Sequence, residues 1–598
     1  MLSALSRALA APLILLLLPV VYSCGNDGSA TDGGPPPPMP SITALSATNL
    51  SPGDTLAIKG SNFASATVDN RVVFNNALAN PTPFFVQPDS LAVVVPLWAN
   101  SGALRVISRG VSSAPATVVI ERGLGEPFVV GGGASFEFKL PAPTGSERFI
   151  MIPYSASAAG IANFLYSVTP GTTSVFPSPP ALKRSADRGT VDFRLEFEAM
   201  TRKEGLEHIE RHMKEGRPIV KTAAPAVPDS IRNFWVLNTT TSPLTFTRIT
   251  AARRYWVDSP TSAALIYADV NQPSGSFDQA DYDAFGAQFD SQIFPTDTTF
   301  FGPPTDIDGN ERVMILFTPE VNKLTPPGQA RNGYISGFFF NIDLASGSAN
   351  SNGGEVFYAM VPDPNNDLGN TFPKQEVTDI IPGTLAHEFE HMISFGYRFV
   401  TLGNGTSTAF TQLTWLEEGM AHIAENLNGF HDSNKGRGDL YLLDPGAVSI
   451  MGGDTLEQRG GIFLFLRYMG DQLGDGIFRS ILRSSCRGRT CVQGVSGEDF
   501  FTSVANFLAT VYLNGRPWVS DPKFHYKSPD VSLSVLWVEV RDVVDGPFFD
   551  SRNPSAPVSV QNASGDYYEL GGIQSPAVSV KVTGSPNSAI RVIVARIP

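Results

Sequence analysis

Three kinds of hydrophobic patterning succeed one another along the chain. A continuous apolar run, Leu13 to Val21, comes first. From Ser41 to Ile120, short apolar stretches such as Thr55-Leu56-Ala57-Ile58, Val72-Val73-Phe74 and Leu91 to Val95 alternate with Gly, Pro and Asn turns. That pattern predicts the strands of a β-sandwich, and no helical period interrupts it. Residues 122 to about 200 stay strand-rich, with Ser135 to Leu140 alternating and Phe149-Ile150-Met151-Ile152 forming a short buried run. Arg202 to Lys214 then reads as a charged helix carrying His208 and His212 on one face. Its apolar stripe, Leu206, Ile209 and Met213, is thin, and a solvated helix is expected there. Beyond residue 230 the order becomes mixed: strands at Asn233 to Leu237, Leu265 to Ala268 and Val313 to Phe317, and a helix over Phe277 to Phe289 behind the cap Ser276. Alternation returns at Val578 to Val582 and Ile590 to Ala595, predicting a terminal β module.

These elements predict a multidomain chain: residues 1–23 a signal peptide, 24–40 a Gly/Pro-rich linker, 41–121 a β-sandwich and 122–229 a β-rich intermediate domain with a helical segment. An α+β domain over 230–520 and a small C-terminal β module over 521–598 complete it. A length of 598 residues already exceeds what one ordinary core serves. With 42% hydrophobic and 17% charged residues the chain is of folded rather than disordered type. A formal charge of −14 without a basic cluster excludes nucleic acid as the expected partner.

Arg7, the apolar run, Ser23 and Cys24 follow the layout of a secretory signal, and the run is too short to span a bilayer. Val21-Tyr22-Ser23-Cys24 resembles the lipobox of bacterial lipoproteins, which implies lipidation of Cys24 and attachment to the membrane through it. The expected location is the bacterial cell envelope as an outer-membrane lipoprotein, with ordinary cleavage and secretion as the alternative. The other two cysteines, Cys486 and Cys491, have four residues between them and no nearby histidines, so a small disulfide loop is expected ahead of a zinc knuckle.

The strongest chemical signal is His387-Glu388-Phe389-Glu390-His391, set among Leu385, Phe389, Met392 and Ile393 at core-facing spacing and preceded by Pro382 near a helix start. On a helix, histidines at i and i+4 leave one face about a turn apart, so both imidazoles reach one tetrahedral zinc. Glu388 lies beside them as general base: it takes a proton from the water that zinc acidifies and returns it to the leaving amine. Two histidines need a third ligand, and Trp415 to Glu425 reads as a second amphipathic helix offering several. Here the chain resembles the gluzincins, whose third ligand is the Glu before Gly in a Trp-Leu-Asn-Glu-Gly type motif, and that residue is Glu418. Glu417, which replaces the usual Asn, and His422, one turn on, are its rivals. Twenty-six residues separate His391 from Glu418, a longer spacing than in thermolysin-like enzymes. Glu425, on the Glu418 face, is the candidate to accept the free N–H of a ligating imidazole. Tyr441, Tyr468, His431 and Arg459 are the candidates for stabilising an oxyanion. Asp306-Ile307-Asp308-Gly309-Asn310 offers alternating oxygens of the kind that bind Ca2+, but no terminal Glu follows at EF-hand spacing, and a tight turn explains the run as well.

Two wider resemblances complete the reading. Ser41-Ile42-Thr43, Ser51-Pro52-Gly53-Asp54, Gly60-Ser61-Asn62-Phe63 and Leu91 to Pro96 make residues 41–121 similar to an IPT/TIG immunoglobulin-like domain. Tyr255-Trp256-Val257-Asp258, Phe300-Phe301-Gly302, Ser351-Asn352 ahead of Val356-Phe357-Tyr358, and Phe463 to Tyr468, in order around the site, make residues 230–520 resemble the M30, or hyicolysin, peptidases. The resemblance implies a thermolysin-like zincin fold and a zinc metallopeptidase acting on proteins or peptides, an endopeptidase ahead of an aminopeptidase. The alternative from another class is a surface adhesin that displays a degenerate peptidase domain.

Overall fold

A computed structural model describes residues 37–75, 81–96, 99–131, 134–140, 148–170, 193–215, 227–240, 242–453, 455–528, 531, 542–545, 558–571 and 579–598. Cys24, the expected signal peptide and most of the expected linker lie outside them. Among the described residues no helix is long and apolar enough to cross a membrane.

The first unit is a β-sandwich. One sheet runs in the order Ser41–Leu45, Thr55–Ser61, Ser90–Val94, Phe85–Gln87. The other runs Asn49–Leu50, Ala116–Ile120, Gly102–Ser108, Asn70–Phe74, with Val111–Ser112 beside Gly102–Ser108. Alternation turns Leu56, Ile58, Val72, Phe74, Leu91 and Val93 inward, and they form a core of their own.

A second pair of sheets is assembled from the two ends of the remaining chain. One has the order Phe128–Gly131, Ile590–Ile597, Arg148–Ser155, Tyr568–Gly571, Asp542–Asp545. The other has Ser135–Lys139, Ser579–Gly584, Asn163–Pro170, Val558–Gln561. Arg148–Ser155 pairs along its whole length with Ile590–Ile597, antiparallel. Strands read from the sequence as belonging to an intermediate domain and to a separate terminal module therefore share two sheets. Alternation gives the face a residue takes, not the strand it pairs with, and the partners are remote: Tyr166 and Tyr568, 402 positions apart, share a buried 2.7 Å hydrogen bond.

The α+β region is built on a six-stranded sheet, in the order Ile231–Leu237, Phe246–Tyr255, Ala264–Asp269, Val313–Phe317, Val356–Ala359, Gly337–Phe339. Its three middle strands up to Val356–Ala359 are parallel and buried along their whole length, as continuous apolar runs covered on both faces must be. The short edge strand Gly337–Phe339 is antiparallel to its neighbour and packs on the helix Lys374–Phe395, hereafter the motif helix. This helix begins two turns before Pro382, which sits in its interior and not near its start. The helix expected behind Ser276 spans Gln279–Gln288 instead and is capped by Asp278, whose carboxylate and that of Asp281 form a reciprocal capping box.

Two further helices complete the site. Thr414–Leu427, the glutamate helix, packs on the motif helix and on Leu456–Leu473, the support helix. Gly419 sets how closely the last two approach, because a Cβ there would lie 2.6 Å from Ile462 Cγ1. The charged helix spans Phe193–Lys214 and is not merely solvated: Phe197 and Ile209 join the main core, and Phe197 meets Phe338 edge-on at 5.4 Å.

Candidate metal centre

Helical spacing places His387 and His391 one turn apart on the motif helix, and their rings turn toward each other. The two Nε2 atoms are 3.1 Å apart. Glu418 rises from the glutamate helix between them, Oε2 at 3.8 Å from His387 Nε2 and Oε1 at 3.8 Å from His391 Nε2. Ligand atoms about 2.0–2.1 Å from one tetrahedral ion stand roughly 3.3 Å from each other, so these donors need to move by only a few tenths of an ångström to share one. Glu388 lies beside them, its Oε2 accepting the Phe339 backbone N–H of the edge strand at 2.7 Å. Burial raises its carboxyl, offset in part by His387 and His391.

Each histidine has a carboxylate behind it. His387 Nδ1 lies 2.7 Å from Glu425 Oε1, which fixes the tautomer that presents Nε2 to the centre. His391 Nδ1 faces Glu390 Oε2 at 3.5 Å, too far for a hydrogen bond. Burial works to lower His391, but Glu390, Glu418 and Glu388 outweigh it and push it up to about 10.

A second cluster shares His387. His422 Nδ1 is 2.9 Å from Glu425 Oε1, and Arg437 Nη1 lies 3.3 Å from Glu425 Oε2. His387, His422 and Glu425 could also approach one ion. The guanidinium of Arg437 already occupies the charge position there, His422 is fully buried, and burial and Arg437 lower it to about 3. Burial works against the charge of Glu425, but Arg437 and the two imidazoles hold its carboxyl well below the usual range. His422 stays fully buried in this cluster, while Glu425 and Arg437 border open space, as do His387, His391, Glu388 and Glu418.

Two openings meet at the centre. One has Phe338, Phe339 and Phe340 along one wall and Thr411, Gln412 and Glu417 along the other. The second is bordered by Tyr334, Asp379, Phe430, His431 and Arg459. Glu198, His387 and Glu388 border both. Glu417 lines the first opening too, but it is Glu418 whose two oxygens stand 3.8 Å from the imidazole Nε2 atoms. Of the four oxyanion candidates, Tyr441 and Tyr468 are withdrawn into the core against Phe507. His431 and Arg459 stay at the second opening with Tyr334, which carries no sequence signal.

Two arginines converge on Glu418. Arg459 of the support helix places Nη1 3.0 Å from Oε2, and Arg202 of the charged helix donates to Oε1 through Nη2. Although burial opposes it, Arg459, Arg202 and then the imidazoles hold the Glu418 carboxyl well below its usual range. Arg459 also donates to Glu198 of the charged helix. Neither Arg202 nor Glu198 was expected here. No motif marks them, and 216 positions separate Arg202 from Glu418.

Two other expected sites stand apart. Cys486 and Cys491 are joined as a disulfide, Cα atoms 5.1 Å apart. Asp306 and Asp308 gather with Glu355, which the sequence reading did not single out. Asp306 accepts the backbone N–H groups of Asn310 and Glu311, and Glu355 accepts from Thr305 and Ile307, so the turn satisfies these carboxylates itself.

Residues 40–119 match the family profile of the IPT/TIG domain, which coincides with the N-terminal sandwich. Over 220 residues the chain is 27% identical to the neutral metalloprotease ShpI of Staphylococcus hyicus, a match covering 33% of this chain and 44% of that protein. The chain therefore spans less than half the length of that curated relative. Similarities to solved structures are small: a protein of unknown function from Bacteroides thetaiotaomicron (15% identical, 22% of this chain, 31% of that one, TM-score 0.14) and a gamma-CGTase from alkalophilic Bacillus clarkii (19%, 19%, 16%, 0.13). At such scores they say nothing about the fold.

Proposed function

We propose that this chain is a zinc-dependent metallopeptidase of the gluzincin type, akin to the M30 or hyicolysin peptidases, in which His387, His391 and Glu418 hold the ion and Glu388 is the general base. The observation that carries the reading is the convergence of two imidazole Nε2 atoms, 3.1 Å apart, with both oxygens of Glu418 on the floor of an open cleft beside Glu388. Two imidazoles, each giving up its Nε2 proton to bind, and one carboxylate are a donor set that suits zinc and leaves a position for water. A zinc ion bound there supplies Lewis-acid polarisation of the scissile carbonyl and makes water acidic near neutral pH.

The protein's own groups do the rest. The Phe339 N–H pins one oxygen of Glu388 and leaves the other for a water proton. Glu388 takes that proton as the water oxygen bonds to the carbonyl carbon, then delivers it to the amide nitrogen as the C–N bond breaks. The aromatic wall Phe338 to Phe340 suits apolar substrate side chains. Protein and peptide substrates, and a lipid anchor on Cys24 that holds the enzyme at the cell envelope, complete the proposal.

The test is elemental analysis of purified protein together with hydrolysis of an unfolded protein such as casein. One zinc per chain and a chelator-sensitive activity are expected. Glu388→Gln should keep the zinc and lose activity by about a hundred-fold or more. A Glu388→Gln enzyme that cleaves near the parental rate refutes the mechanism, and a metal-free parental protein without activity refutes the assignment.

A further inference from the structure

The helix Phe193–Lys214 crosses the groove at the level of the general base. Thr201, Arg202 and Leu206 face the first opening, Arg194 faces the second, and Glu198 borders both together with His387 and Glu388. One continuous groove is thus divided at its chemical centre by a segment of the same chain. A peptide extended past Glu388 would have to lie where this helix lies.

We propose that this helix is an inhibitory plug, latched by Arg202 on Glu418 and by Glu198 on Arg459, and that the centre becomes competent when it leaves. The proposal rests on the metallopeptidase reading above and names the regulation of that site. Phe197, Thr201, Gly205, Ile209 and His212 form a buried stripe along one side of the helix, while Arg194, Glu198 and Arg202, which it turns toward the openings, stay partly exposed. Several contacts that hold it at and near the centre are polar. Arg202 and Glu198 bind the two ends of the Glu418–Arg459 pair, Glu204 accepts from the Leu244 N–H at 3.3 Å, and Glu210 accepts from Thr408 Oγ1 at 3.0 Å.

The latch acts on the ligand set as well as on space. Glu418 has two oxygens, and each faces a guanidinium: Oε2 faces Arg459, which belongs to the body of the centre, and Oε1 faces Arg202, which belongs to the plug. A divalent ion between the histidines and a guanidinium on Oε1 are like charges competing for one carboxylate, so each weakens the hold of the other. Departure of the plug opens the groove and releases Oε1 together. Arg459 stays behind to fix the carboxylate.

The full-length chain tests this through zinc affinity, by competition with a chromophoric chelator, and through hydrolysis of a long fluorogenic peptide. Arg202→Ala is expected to bind zinc about five-fold more tightly or better, and to raise kcat/KM by a similar factor or more. If Arg202 instead positions Glu418 or stabilises the reaction, both quantities fall, and the proposal is overturned; unchanged values overturn it equally. Should Arg202→Ala not fold, sites for a specific protease inserted within 171–192 and 216–226 allow the helix to be cut free from the folded chain. Activity should rise on cutting, with the helix separating on gel filtration. A cut protein that keeps the helix or loses activity overturns the plug. Loss of zinc in His387→Ala, beside parental values in Arg202→Ala, would leave the metallopeptidase reading standing and the plug refuted, whereas a parental and cut protein that neither bind zinc nor hydrolyse peptide would refute both.

Discussion

Four glutamates surround the two histidines, and what holds each carboxylate separates their roles. Glu418 faces two guanidinium groups and Glu425 faces two imidazoles and Arg437, so both stay ionised and fixed. Among the described residues Glu388 is held by one backbone N–H, that of Phe339, which leaves an oxygen for a proton. The motif residues were legible because helical spacing alone brings His387, Glu388 and His391 together. The arginines were not, since nothing periodic links Arg202 or Arg437 to the carboxylates they meet. Glu425→Gln removes the charge that orients His387 and leaves Arg437 buried without its partner; zinc affinity should fall by about ten- to a hundred-fold. Chelator competition checks this, and an unchanged affinity would reduce Glu425 to scaffold. A second residue-scale prediction concerns Glu355, which burial pushes up to about 7. Between its ordinary value of 4.5 and about 7 the folded protein keeps a proton that the unfolded chain gives up, so stability falls as pH rises through that window. Glu355→Gln can still accept from Thr305 and Ile307, and should raise the melting temperature at pH 8, by a free energy on the order of 1–3 kcal/mol, with no gain at pH 4. An equal gain at both values would mean the charge is not the cause.

At the scale of elements, the cleft wall depends on the crossing from the motif helix to the glutamate helix, which lies within the long spacing between His391 and Glu418. The motif helix continues through Gly396–Leu402, and the chain then crosses to Thr414. Arg398 ties that crossing to the disulfide segment, donating to the carbonyls of Phe410, Cys486 and Ile481 at 2.9, 2.9 and 3.0 Å. From the other side Arg487 Nε donates to the Thr411 carbonyl at 2.7 Å and the Gly488 N–H donates to Gln412 Oε1 at 2.6 Å. Cys486 and Cys491 were recognisable as a pair from their spacing, but their purpose was not, because the bridge acts on Thr411 and Gln412, which line the groove over 70 positions away. Replacing both cysteines by serine removes a short closed loop, worth about 2 kcal/mol in chain entropy. We expect zinc content and kcat to hold while KM rises several-fold, as the wall loosens and the ligands stay on their helices. A fall in kcat at constant KM would show that the bridge supports the centre and not the wall.

The whole molecule divides along lines that local pattern does not mark. The N-terminal sandwich keeps its own core, while every other large cluster of buried side chains among the described residues is continuous from the two-sheet unit through the six-stranded sheet to the helices of the centre. Alternation was enough to find the sandwich, since its strands pair within 80 residues, and it failed for the second pair of sheets, whose strands come from both ends of the region they enclose. Those sheets hold the centre from behind: Tyr567 donates to the Leu508 carbonyl at 2.9 Å, Ser564 to the Gly446 carbonyl at 2.9 Å, and the Ser449 N–H to Gln561 Oε1 at 2.9 Å. Truncation therefore separates two kinds of module. A chain starting at residue 122 loses a unit whose core it does not share and should keep its zinc, and its activity on a soluble peptide should stay within about two-fold, the behaviour of a domain with an independent core. A chain ending at residue 541 loses the strand that covers all of Arg148–Ser155, exposing paired backbone and buried side chains of the main core, and should be insoluble or unfolded by circular dichroism. A soluble, zinc-loaded, active protein ending at 541 would mean that the last strands are an appended module after all, and that the long-range pairing contributes nothing to the centre it encloses.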